Sequence, residues 1–201
     1  FFMKFLISFI SFLYISILYS DNLSSYLEQN KTSSFILFQE GKLKVDKEFL
    51  VKEPSKFYKI ANEGKVDGRS LEDVASIQKS VISLLIGIAQ QKSYLDINDS
   101  VSSHLGKWTR LGIDEEQRIK IIHLLSMNSG LDESLSFESM PGKSWFYNTK
   151  AYSPLIFVLE KVTNKDIQNL SKEWLFDVVG MNETYWQVRS SEWSRNASRY
   201  G

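Results

Sequence analysis

With 201 residues, 43% hydrophobic and 24% charged, the chain has the make-up of a globular domain that can bury a core, not of a disordered or low-complexity segment. Twenty-four basic residues balance 24 acidic ones without a basic block, so the charge pattern offers no nucleic-acid surface. Cysteine is absent, which removes disulfides, thiolate metal sites and a cysteine nucleophile together, and His104 and His123 stand outside any acidic cluster that would complete a metal centre.

The N-terminus, FFMKFLISFISFLYISILYSDN, places one cation at Lys4 before an apolar run from Phe5 to Tyr19 and the small residue Ser20. This is the pattern of a secretory leader cut after Ser20. The run is shorter than the roughly 20 residues that span a bilayer, and an uncleaved anchor giving membrane association through residues 3–20 is the second reading. Either one implies a secreted or periplasmic protein, with 1–20 as leader and 21–201 as the domain proper. A polar stretch follows, DNLSSYLEQNKTS, and then two expected strands. SFILFQ (Ser34–Gln39) is rich in strand formers, EGK turns, and LKVDKEF alternates apolar and charged residues through Phe49, which predicts a hairpin with one wet face.

Residues 51–73 read as a connecting loop. The stretch VASIQKSVISLLIGIAQQ then sets Val81, Leu84, Leu85 and Ile88 at helical spacing, with Ile77, Ile82 and Ile86 on the other sides. Apolar residues all round predict a central, buried helix, and Ser76, Ser80, Ser83 and Gly87 along one side permit another element to come close. RIKIIHLLSMNSG (Arg118–Gly130) predicts a helix ending on a stop glycine, and AYSPLIFVLEKVT (Ala151–Thr163) predicts another, followed by NKDIQNLSKEWLFDVVGM. The expected fold class is α/β (α+β), with helices dominating from residue 76 behind one hairpin and the sheet under-represented.

Ser76 and Lys79 sit one turn apart at the head of the apolar helix. A serine in the first turn has an unpaired backbone N–H at the positive end of the helix dipole, where a developing oxyanion is favoured. A lysine at i+3 shares its face and reaches its hydroxyl, and burial disfavours the ammonium, so Lys79 is a candidate base for a Ser76 nucleophile. The residues alone equally fit a helix cap beside a snorkelling lysine. A G-x-S-x-G elbow is absent, which leaves an α/β-hydrolase without a nucleophile site.

SIQKSVISLLIGIAQQKSYLDINDSVSSHL resembles the β-lactamase-related serine hydrolases, a family of class C β-lactamases, D-alanyl-D-alanine carboxypeptidases, esterases and 6-aminohexanoate-dimer hydrolases. There S-x-x-K-S opens a central helix, a turn like KSYLDIND follows, and V-x-x-x-L comes next. The likeness continues in order through IIHLLSMNSGLDE, PGKSWFYNTKAY and LFDVVGM, over about residues 34–186. It implies a β-lactamase/transpeptidase-like fold, a helical region beside an antiparallel sheet that is incomplete in this chain. It also implies an acyl-enzyme on Ser76, with Lys79 and Tyr147 as its catalytic partners and Asn148 and Thr149 against substrate. Which of Lys79 and Tyr147 is the resting base stays open. A small-molecule ester, amide or peptide is the implied substrate, with neither metal nor organic cofactor, since acyl transfer through serine needs only base, acid and oxyanion donors.

Two departures shape the expectation. Many relatives carry Tyr-Ser-Asn or Tyr-Ala-Asn, whereas here Thr149 stands in the amide's place, a change that weakens β-lactam hydrolysis in favour of esters or small amides. The family's third motif, Lys/His-Thr/Ser-Gly or His-x-Gly on a late strand, has no match before SEWSRNASRYG. The chain is therefore expected to be the N-terminal portion of a longer protein, inactive and poorly folded by itself. A non-catalytic, membrane-tethered binding or cell-wall-interaction module with the same fold is the alternative, against which the joint presence of Ser76, Lys79 and Tyr147 argues.

Overall fold

The computed structural model describes residues 22–49, 65–66, 69–70 and 73–186. The expected leader, most of the expected connecting loop and the chain end from residue 187 lie outside the described residues. The chain divides into two compact units, Phe1–Asp73 and Val74–Gly201.

In the first unit residues 22–29 form helix α1, within what reads in the sequence as a polar stretch. Leu27 is its buried residue, and Lys47 Nζ donates to Ser24 Oγ at 2.7 Å. Strands β1 (Ser34–Gln39) and β2 (Lys42–Glu48) form the expected antiparallel hairpin. Its two turn residues, Glu40 and Gly41, have φ of +53° and +70°. A two-residue turn with both residues left-handed matches the twist of paired strands, and glycine takes that conformation without strain. The register shifts between Leu37 and Phe38, which pair with Val45 and Leu43, so Lys44 is the extra residue of a bulge. The expected single wet face is corrected: Ile36 and Phe38 on one side and Leu37 on the other are all exposed. A two-stranded ribbon is too small to cover either of its own faces. Within the expected loop, β3 (Lys65–Val66) and β4 (Arg69–Ser70) pair as a second, minimal hairpin.

The second unit is helical. A 3₁₀ turn over Ala75–Ile77 leads into α2 (Gln78–Gln91), followed by α3 (Val101–Leu105), α4 (Ile113–Glu116) and α5 (Ile121–Leu125). After a loop come α6 (Thr149–Tyr152), α7 (Pro154–Thr163) and α8 (Ile167–Ser171). A π-helical turn, Lys172–Phe176, runs on into α9 (Asp177–Val179). No helix among the described residues is long and apolar enough to cross a membrane.

One apolar core joins these helices. Ile82, Leu85, Ile86 and Ala89 of α2 and Leu155, Ile156, Val158 and Leu159 of α7 all belong to it, with Val101, Ile121, Leu124 and Leu170. Burial of α2 on all sides is not what is found. Ser80, Ser83, Leu84 and Gly87 are exposed, so the helix is buried along one face and open along its small-residue stripe.

The helix expected over Arg118–Gly130 is shorter, Ile121–Leu125. Lys120 is extended at its start, and Met127, at φ +56°, reverses the chain at its end, where Asn128 N–H returns to His123 O at 2.9 Å. Gly130 has a different task from a helix stop. Glu138 and Ser139 N–H both donate to its carbonyl, and a Cβ built on it would lie 2.1 Å from Ser139 O.

Loops in this unit are pinned by buried polar groups. Glu116, 2% exposed, accepts from Trp108 N–H, Thr109 N–H and the Thr109 hydroxyl and pairs with Lys107. Burial raises its pKa, but hydrogen bonds from Thr109, Lys107 and Trp108 outweigh that and hold the carboxyl below its ordinary range. Asn148, 4% exposed, donates from Nδ2 to Leu131 O at 3.1 Å and Asp132 O at 2.8 Å and accepts from Ala151 N–H at 3.0 Å. It caps α6 and clamps the 131–132 turn with one amide.

Two consequences are measurable. Gly130→Ala must push its methyl into the Ser139 carbonyl at a left-handed φ of +76°, and it should lower the urea midpoint by the equivalent of about 2–4 kcal/mol. Asn148→Ala leaves two carbonyls and one N–H without their partner and should cost about 2–3 kcal/mol in the same experiment. A parent-like midpoint for either variant refutes the corresponding contact.

Candidate active site

The 3₁₀ turn and the first turn of α2 that follows it present the serine and lysine side by side, as the spacing suggests. Lys79 Nζ donates to Ser76 Oγ at 3.0 Å. Ser76 itself lies in the 3₁₀ turn that leads into the helix, and the residue before it, Ala75, has φ +46°. A left-handed alanine is strained by roughly 1–2 kcal/mol. That turn delivers the serine to the open end of the helix, where Ser76 is exposed.

Tyr147 arrives from the loop before α6. Phe146 N–H donates to Met127 O at 2.8 Å, which ties this loop to the turn after α5. The Lys79 ammonium lies 5.2 Å from the centroid of the Tyr147 ring. Hydrogen bonding by the Ser76 hydroxyl, with further hydrogen bonds from Lys79 and Thr149 and the attraction of the ammonium, outweighs desolvation and holds the Tyr147 phenol below its ordinary pKa of 10.0. Trp145, 70% exposed, is its aromatic neighbour at 6.5 Å between centroids. Packing on Trp145 does not hide the phenol, which converges on the serine and lysine.

The structure thus brings Ser76, Lys79, Tyr147 and Thr149 together. Asn148, expected to face substrate, is corrected: its side chain turns inward and its amide is taken up by Leu131, Asp132 and Ala151. The alternation of an extended segment explains this, because neighbours in it point to opposite sides and Tyr147 points outward. Sequence reasoning missed Tyr152. It is buried, its hydroxyl donates to Lys79 O at 2.8 Å, and its ring centroid lies 5.9 Å from Lys79 Nζ. Burial, and then repulsion from Tyr147, push its phenol up to about 12, so it remains a donor. The available signal was a polar-tipped aromatic within an apolar run, since a buried tyrosine hydroxyl needs a partner.

Beside these residues runs a groove of about 510 Å³ lined by Lys79, Ser80, Ser83, Leu84, Met127 and Tyr152 among others. Apart from Lys79 and the serine hydroxyls its lining is largely apolar. Among the described residues no cluster of three or more histidines and carboxylates is disposed to hold a metal ion.

Solved structures share this architecture at low sequence identity. FmtA from Staphylococcus aureus superposes with a TM-score of 0.60 and 19% identity, over 89% of this chain and 53% of that one. The octameric penicillin-binding protein homologue from Pyrococcus abyssi gives 0.60 and 19%, over 81% of this chain and 42% of that one. A putative 6-aminohexanoate-dimer hydrolase from Bacillus anthracis gives 0.58 and 13%, over 76% and 46%. The chain therefore spans between 42% and 53% of the length of these structures. A search of curated proteins gives no significant sequence match. The family profile described as Beta-lactamase matches residues 23–201, and the chain belongs to that family.

Proposed function

We propose that this chain carries the nucleophile and proton-transfer groups of a serine hydrolase that works through an acyl-enzyme on ester or small amide bonds. The supporting observation is the convergence of Lys79 Nζ on Ser76 Oγ at 3.0 Å with a Tyr147 phenol whose pKa is held down. In this reading the Tyr147 phenolate is the base and Lys79 the cation that stabilises it. The Ser76 proton passes to the Tyr147 oxygen while Oγ bonds to the substrate carbonyl carbon, whose oxygen becomes the oxyanion. On collapse the bond to the alcohol or amine breaks and Tyr147 returns the proton to that leaving group. Water then attacks the acyl-enzyme by the reverse route and releases acid and Ser76. The apolar run from Phe5 to Tyr19, behind Lys4 and ahead of Ser20, supports export as part of the same reading.

A base with a depressed pKa has a defined pH signature. The phenolate fraction rises with pH through the lowered value, so acylation should climb to a plateau below the ordinary phenol range. In the full-length protein, Ser76→Ala should abolish labelling by a fluorophosphonate, and Lys79→Met should move the ascending limb toward pH 10 while cutting the rate about 10²-fold or more. Labelling of Ser76→Ala at the parent's rate sinks the assignment.

Substrate preference follows from the amide position. Thr149 supplies one hydroxyl where many relatives place an asparagine, and Asn148 is committed to the backbone, so short-chain esters should be turned over faster than a cephalosporin. A parallel assay of p-nitrophenyl butyrate and nitrocefin reads this ranking directly, and efficient nitrocefin turnover with esters untouched reverses it.

A further inference from the structure

Resting on the serine-hydrolase reading above, we propose that Tyr152 is a positioning residue for its reaction, a latch whose hydroxyl holds the segment bearing Tyr147 onto the helix bearing Ser76 and Lys79. Three contacts carry this. The Tyr152 hydroxyl donates to the Lys79 backbone carbonyl at 2.8 Å, across 73 positions of sequence. Its ring stands 5.9 Å from Lys79 Nζ, and the Tyr147 ring stands 5.2 Å from the same atom, so the ammonium is in contact range of both aromatic faces. Tyr152 N–H donates to Asn148 O at 3.0 Å, joining the latch to the residue next to Tyr147 by one helical turn.

The geometry makes the hydroxyl more than core filling. A buried phenyl ring at position 152 would satisfy the packing of α6 just as well, because Tyr152 is 4% exposed and surrounded by the same apolar core. The oxygen adds a single directional tie, and it is made to the backbone of the very residue whose side chain meets both Ser76 and Tyr147. From Tyr152 the chain runs back through one helical turn to Tyr147, so a slip at the latch is passed on to the phenol. Misplacement of reacting groups by about 1 Å costs on the order of 10²-fold in rate. The groups that set the Tyr147 titration are Ser76 from the 3₁₀ turn before α2, Lys79 from the first turn of α2, and Thr149 from its own segment. Those facing Tyr152 are Lys79 and Tyr147. The end of α5 and the turn after it contribute Leu125 and Met127 to the same groove, neither of which is titratable.

The test is Tyr152→Phe in the full-length protein, which keeps ring and volume and removes one oxygen. The direct readout is the titration midpoint of Tyr147, followed by NMR of ¹³Cζ-labelled tyrosine, and it needs no turnover. The latch predicts a midpoint that moves up toward the ordinary phenol value as Ser76 and Lys79 recede. It also predicts fluorophosphonate labelling slowed by about 10–10²-fold, with the ascending limb of its pH profile displaced in the same direction. A purely structural hydroxyl would lower the melting temperature and leave the midpoint and the limb in place, which overturns the proposal. In the unsubstituted protein, Tyr152 must stay protonated while Tyr147 ionises. A Tyr152 midpoint at or below that of Tyr147 overturns the proposal even if Tyr152→Phe fails to fold. Ser76→Ala run alongside separates the two levels: labelling that survives it refutes the hydrolase reading, whereas Ser76-dependent labelling unaffected by Tyr152→Phe refutes the latch alone.

Discussion

The packing of one face of α2 against α7 is the constraint on which the site depends. Ile82, Leu85, Ile86 and Ala89 meet a core that includes Leu155, Ile156, Val158 and Leu159. Each fully buried branched side chain contributes about 1.5–3 kcal/mol, against about 1 kcal/mol for a typical hydrogen bond. Apolar burial therefore decides where the helix lies, and polar contacts then decide how the groups at its head are turned. Ser76 and Lys79 sit at the end of a rod that the core holds, and their mutual distance follows from helix geometry with little further adjustment.

Tyr147 has no such rod beneath it. It belongs to a loop, and its placement comes from ties on both sides. Upstream, Phe146 N–H reaches Met127 O. Downstream, the Asn148 amide spans Leu131, Asp132 and Ala151, and Tyr152 reaches the Lys79 carbonyl. Gly130 belongs to the same device, because only a residue without Cβ lets the Ser139 carbonyl pass so close, and this approach closes the loop that Asn148 then clamps.

Legibility in the sequence tracked how local the deciding interaction is. The hairpin was readable to within a residue, since strand formers flank a turn whose second residue is glycine, although Lys42 belongs to the second strand and not to the turn. The helix to Gln91 and the nearness of Ser76 and Lys79 were readable for the same reason, being matters of spacing within one element. Helix α1 was not, because its apolar residues, Leu23, Tyr26 and Leu27, span little more than one turn among polar neighbours, and Leu27 alone of them is buried. The inward turn of Asn148 and the hydroxyl of Tyr152 depend on partners 16 to 73 positions away, which periodicity cannot register. The buried Glu116 is a similar case, because the loop backbone at Trp108 and Thr109, eight and seven positions away, is what encloses its carboxylate.

Lys79 is the residue on which the helix, the Tyr147 loop and Tyr152 converge. An ammonium placed in a largely apolar helix is costly unless it is paired, and among its described contacts the partners are a hydroxyl and two aromatic faces, with no carboxylate. A carboxylate would satisfy the charge fully and leave little of its field to act elsewhere. Hydroxyl and ring contacts are weaker and leave the cation's field acting on the Tyr147 phenol, which is one of the reasons that phenol ionises below its ordinary value. The composition of the Lys79 shell thus turns a half-buried cation into a source of potential for its neighbour. It also explains why aromatic side chains, and not acids, surround this lysine, since a ring can flank an ammonium and fill the core beside it with the same atoms.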